Sequence, residues 1–194
     1  MIAAVVNHGP SLRNADPPLG EEIDSADLVV RMRNCNWQGE LPEVYGRKYD
    51  VGIYCPGQPM LHAGQRLPSI RFIRYCPKGT PEKWAAHFPE RIGGVPVLDY
   101  SEFLTLLMRG LCPGRFHWSR GTAAAVVVML FVGVEELRIY GADKVSGIQC
   151  EVHHPPELRQ AHPTTGQVDL HNWEKEREVI ELIARTARTK LAWK

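Results

Sequence analysis

Four of the eight histidines in the chain fall between residues 150 and 176: His153, His154, His162 and His171. An imidazole titrates near neutrality, so it can accept a proton, donate one, or ligate a metal while neutral. The stretch admits three readings: proton transfer, a metal site, or a polar loop. A zinc module would use Cys150 and His153, spaced C-x2-H, with His162 and His171 completing a tetrahedron. Beyond that first pair the spacing is irregular. Which reading holds depends on the elements that would carry these side chains.

The bounds are ordinary. At 194 residues the chain can bury a sizeable core, and one domain spanning 1–194 is expected. A hydrophobic fraction of 44% and a charged fraction of 23% place it among globular proteins. The formal charge of +1 gives no whole-chain drive toward nucleic acid. The longest apolar run, Ala123 to Val134, is interrupted by Gly133 and falls short of the roughly 18–20 residues that span a bilayer. No transmembrane segment is therefore expected. The start has neither a basic n-region nor a small-residue cleavage site, so no signal peptide is expected. The five cysteines are odd in number, widely spaced and form no CxxC, which fits a reduced, cytoplasmic compartment.

The elements read as an α/β chain. Residues 2–6, Ile-Ala-Ala-Val-Val, predict a strand buried on both faces, as in a parallel sheet. Asn7-His8-Gly9-Pro10-Ser11-Leu12 come next as a glycine-containing turn into a helix, which is either an anion site or an ordinary βα turn. Leu19 to Asp24 predict a short helix or turn, and 28–32 a second strand. Arg31 and Arg33 would share one face of it, toward a phosphate or carboxylate partner or toward a solvated rim. Residues 50–54, 70–75, 95–98 and 137–140 predict further strands, 55–69 a loop, and 81–90 a short helix opened by Pro81. Gly93-Gly94 mark a turn. Ser101 could cap a helix to Met108, ended by Gly110 and Pro113. After Ser119-Arg120-Gly121-Thr122, the apolar run to Phe131 predicts a buried helix capped at Gly121 or Thr122. Its β-branched residues leave a strand reading open. A last helix is expected from Asn172 to Ala192, with apolar residues at 179, 180, 183, 187 and 191 on one face. Its acidic start and basic end suit the macrodipole, and the basic end leaves contact with a membrane surface open.

Several separated stretches resemble the motifs of the animal-type sialyltransferases, glycosyltransferase family 29. Val5-Val6-Asn7-His8-Gly9-Pro10-Ser11-Leu12 and Gly20-Glu-Glu-Ile-Asp-Ser-Ala-Asp-Leu-Val-Val-Arg-Met32 resemble the long sialylmotif, VVGNGPSL…G…IDS.D.V.RMN. Ser119-Arg120-Gly121-Thr122, the apolar helix and Glu136-Leu-Arg-Ile-Tyr140-Gly141-Ala-Asp143 resemble the short motif. His153-His154-Pro-Pro-Glu157 resembles the third motif, HHYxE-like, and His171-Asn-Trp-Glu-Lys-Glu176 the very short motif, HxxxxE. The chain departs from the pattern at Asn7-His8 for Gly-Asn, Arg33 for the asparagine closing RMN with Asn34 one step on, Arg120 for threonine, and Pro155 for the aromatic. The cysteines that join the long and short motifs in secretory members are absent, with Ala3 and Val134 near those places. No amino-terminal anchor or stem is expected. A short bacterial or phage-like cytoplasmic member is expected.

The resemblance implies a single α/β/α domain with a mainly parallel, Rossmann-like sheet, a variant of the GT-A type. It implies an inverting, metal-independent transferase that moves sialic acid from a CMP-sugar to a glycan hydroxyl. By position, His171 is the general base and His154 serves the phosphate leaving group. Asn7, His8, Gly9, Ser11, Arg33, Asn34, Ser119, Arg120, Gly121, Thr122 and His153 are the expected donor contacts. No cofactor beyond the donor is implied. Glu176 lies five residues after His171, about 140° around a helix, so it does not orient the base. It is expected instead to tie the helix start to a neighbouring loop. Alternative readings are a CMP-Kdo-type transferase, a relative that binds nucleotide or glycan without turnover, and the zinc module.

Overall fold

The structure is a computed structural model that describes residues 1–7, 9–32, 41–54, 67–75, 90–112, 118–142 and 173–194. The strands are β1 (Ile2–Val6), β2 (Leu28–Met32), β3 (Val51–Tyr54), β4 (Arg71–Arg74), β5 (Arg91–Ile92), β6 (Val95–Asp99), β7 (Glu136–Tyr140) and β8 (Lys190–Trp193). The helices are α1 (Pro10–Arg13), α2 (Gly20–Asp24), α3 (Pro42–Tyr45), α4 (Ser101–Leu111), α5 (Arg120–Val127) and α6 (Trp173–Ala187). A π-helical turn, Val128–Val132, continues α5.

The described strands form one sheet in the order β5-β6-β4-β3-β2-β1-β7-β8, parallel throughout except for the β5–β6 hairpin. Successive residues of a strand face opposite sides. In β1, Ala3 and Val5 join the core under α4, α5 and α6, while Ala4 and Val6 join a second core with Leu12, Ile23 and Tyr45 from the other helices. Burial on both faces is why this strand reads as an unbroken apolar run. The sheet is thus the middle layer of an α/β/α arrangement. From β1 the chain steps outward through β2, β3 and β4 to β6, then returns to set β7 on the other side of β1. That reversal makes the β1/β7 junction the topological switch point, where open α/β sheets bind ligands beyond the strand carboxyl ends.

The expected strands are all present, within a residue or two at each end. Gly93 and Gly94, with φ of 56° and 83°, make the expected turn, and it closes a hairpin because two positive φ values match the twist of paired strands. Three expectations change. The last helix stops at Ala187, because Arg188 turns left-handed at φ 57° and Thr189 hooks its hydroxyl to Val134 O at 2.9 Å. Leu191 and Ala192 then lie in β8, parallel to β7. The first helix after β6 runs through Gly110 to Leu111, so that glycine does not end it. Residues 123–131 are helical, as the apolar run predicted, with the π-helical turn at their end. Arg31 is neither a ligand contact nor a rim residue. It is buried, with Nε donating to Lys48 O at 2.7 Å and Nη2 to Tyr45 O at 2.6 Å, and Asp24 3.9 Å away. Residues 81–89 of the helix expected at 81–90 lie outside the described residues, and Glu90 is not helical. Among the described residues no helix is long and apolar enough to cross a membrane.

Candidate functional site

Three chain ends meet at the switch point: the turn after β1, the turn after β7, and the first turn of α5. The first two are fastened by the backbone. Asn7 N donates to Tyr140 O at 3.0 Å and Gly9 N to Gly141 O at 2.9 Å. Gly141 has φ 61°, and a Cβ there would stand 3.0 Å from Gly9 N and 3.2 Å from Leu12 Cβ. Both its conformation and its neighbours therefore require glycine.

The start of α5 is capped by Ser119, not by Gly121 or Thr122 as the sequence suggested. Ser119 is extended, at φ −64° and ψ 159°, and its hydroxyl accepts from Thr122 N at 3.2 Å. Glu176, buried at 2% exposure in the first turn of α6, accepts from Ser119 N at 2.9 Å and from the Thr122 hydroxyl. The expected tie between the start of α6 and a neighbouring loop is present, and the loop is the α5 cap. The amides of Arg120 and Gly121 have no carbonyl of their own helix to bond, as in any first helical turn. Together with the helix dipole, they favour an anionic group at this end.

Beside these turns lies a charged cluster. Tyr140 is fully buried and donates its hydroxyl to Glu22 at 3.0 Å. Burial first, and then the Glu22 carboxylate, pushes its phenol far above the usual range, so it stays a donor. Burial works against the Glu22 carboxylate, but Lys194, Tyr140 and Arg138 outweigh it and hold its pKa below the ordinary value. Lys194 Nζ sits 3.0 Å from Glu22, while Lys194 O accepts from Gly141 N at 3.3 Å. The strand β8 thereby supports the turn after β7.

Of the residues picked from sequence, Asn7, Gly9, Ser119, Gly121 and Thr122 are brought together here. Arg120 occupies the first position of α5, and Ser11 is exposed on α1. His8, Arg33, Asn34, His153, His154 and His171 lie outside the described residues, as do Cys150 and His162 of the zinc reading. Among the described residues no three His, Cys, Asp or Glu side chains gather as a metal site. Tyr140, Gly141, Glu22 and Lys194 were not singled out as site residues. The signal for Gly141 was its place directly after a strand. Nothing local marks Glu22 or Lys194, whose side chains pair with each other from opposite ends of the chain.

No protein-family model and no curated protein matches the chain. Among solved structures it is similar to the crystal structure of a mammalian sialyltransferase, with a TM-score of 0.62 and 18% sequence identity, over 98% of this chain and 68% of that one. At that identity the likeness speaks for the fold, which is sialyltransferase-like.

Proposed function

We propose that residues 1–194 form a glycosyltransferase domain of the sialyltransferase kind, which moves sialic acid or a related acidic sugar from a CMP-sugar to a glycan hydroxyl. The observation that carries this reading is the meeting of the β1 turn, the β7 turn and the α5 N-terminus at the switch point. Those are the places where the long and short sialylmotif resemblances fall. The likeness in fold supports it.

In this reading the donor phosphate lies at the α5 N-terminus, where amide donors stabilise charge that grows as the phosphate leaves. Asn7, His8, Gly9, Ser11, Arg33, Asn34, Ser119, Arg120, Gly121, Thr122 and His153 contact the donor. His171 takes the proton from the acceptor hydroxyl as its oxygen attacks the anomeric carbon. The bond from that carbon to the donor phosphate breaks on the opposite face, so the configuration inverts. Protonated His154 hydrogen-bonds the departing CMP. His171 works neutral and His154 charged, a division of labour that a pKa near neutrality allows. The transfer needs no metal ion, as the sequence resemblance implies.

The test is donor turnover. Purified protein is incubated with CMP-sialic acid, CMP-Kdo and a UDP-sugar, and CMP release is followed for wild type and His171→Ala. Release from one CMP-sugar, reduced by about a hundredfold or more in the variant, is expected, that being the lower end of what a positioned base contributes. No release, with no thermal shift on adding CMP, would sink the reading.

A further inference from the structure

Asn7 reaches two elements at once. Its backbone N–H and its side-chain Nδ2 both donate to Tyr140 O, at 3.0 and 3.2 Å. On the other side its Oδ1 occupies the space that a side chain on Gly121, in the first turn of α5, would need. A Cβ placed on Gly121 would collide with that oxygen and stand 3.1 Å from Asn7 Cγ. Gly121 is helical, with no positive φ, so its backbone does not ask for glycine. Alanine is ordinarily the better residue inside a helix.

Neither partner has a cheap retreat. Asn7 can swing away only by giving up Tyr140 O. Gly121 can draw back only by moving Ser119 and Thr122, whose hydrogen bonds to buried Glu176 hold the turn in place. The side chain therefore fixes the gap between the end of β7 and the start of α5.

We propose that Asn7 is a positioning residue that sets the spacing of the β7 turn and the α5 N-terminus, and that its side chain confines position 121 to glycine. This rests on the functional reading above, since the spacing it sets is that of the proposed phosphate site.

The test is a double-mutant cycle in the full chain: Asn7→Ala, Gly121→Ala and the pair, read by thermal melting and by CMP affinity from calorimetry. Gly121→Ala alone is expected to lower the melting temperature and weaken CMP by about tenfold, a coupling typical of residues in contact. In the Asn7→Ala background the same change is expected to raise the melting temperature and to weaken CMP by severalfold less than it does in the wild type. Additive effects on melting would overturn the claim that Asn7 confines Gly121. Coupling in melting without coupling in CMP affinity would make the contact merely structural and overturn the positioning role. If the wild type binds no CMP, the functional reading has failed and the positioning role goes with it. The melting cycle then still decides the steric claim.

Discussion

The two ends of α5 are built differently. At the start, Ser119 caps, Glu176 holds the cap from another helix, and Asn7 fills the space beside Gly121. At the far end the helix loosens into a π-helical turn, and Leu130, Phe131 and Val132 are 40%, 51% and 43% exposed. Phe131 has ring contacts to Tyr100 and Phe103, both at 4.9 Å between centroids, and Gly133 leaves the turn at φ 73°. The strand beyond Gly133 is fastened by charge: Glu136 bonds Arg138 at 2.7 Å and Lys190 at 3.0 Å. One end is thus held by a buried carboxylate that reaches the cap from another helix, while the other leaves three apolar side chains exposed and is tied by half-buried ion pairs and the Thr189 bond to Val134 O. Buried polar groups tolerate little displacement, because a lost partner is not replaced by water. Precision is concentrated where three chain ends must keep their spacing.

The contrast is broken most strongly at Glu176. Glu176→Ala strips acceptors from Ser119 N and the Thr122 hydroxyl in a buried place, and is expected to cost about 3 kcal/mol in urea unfolding. A loss below about 0.5 kcal/mol would mean that the cap does not need its tether. A smaller effect is expected at the other end, through pH. Hydrogen bonds from Arg138 and Lys190 lower the Glu136 pKa from 4.5 to about 2. A carboxylate whose folded pKa is depressed stabilises the fold above its unfolded pKa. Its contribution is lost as pH falls from about 4.5 through about 2. Acid titration of stability should be shallower in that window for Glu136→Gln; an unchanged slope would show that these ion pairs contribute nothing. The smallest effect belongs to Val132→Thr in the loose turn, expected within about 0.5 kcal/mol of wild type. A loss several times larger would show that the exposed turn is packed as tightly as the cap and remove the contrast.

The central strands were plain in the sequence because a strand buried on both faces, such as Ile2–Val6, needs no context to declare itself. Lys190–Trp193 was not plain. Leu191 stands four residues after Ala187, which is also a helical spacing, and only the left-handed Arg188 and pairing with β7 make a strand of it. Arg31 misled for a similar reason. An arginine at the end of a strand looks like a ligand contact until Tyr45 and Lys48 bring their carbonyls to it. The cap of α5 was displaced by two or three positions because Ser, Gly and Thr are all acceptable there locally. The partner that selects Ser119 is Glu176, 57 residues on.

By itself, then, the sequence determined the alternation of strands and helices, the parallel class of the sheet, and the glycine and serine turns that come after β1 and open α5. Periodicity and turn chemistry are local, and they leave their mark in the order of residues. Only the tertiary structure decided that β7 returns beside β1, that Glu176 fastens the α5 cap, and that Asn7 stands against Gly121. Each of these joins residues far apart in the chain. Such contacts are fixed by which buried surfaces and hydrogen-bonding groups can all be satisfied at once, and no short window of sequence contains that choice.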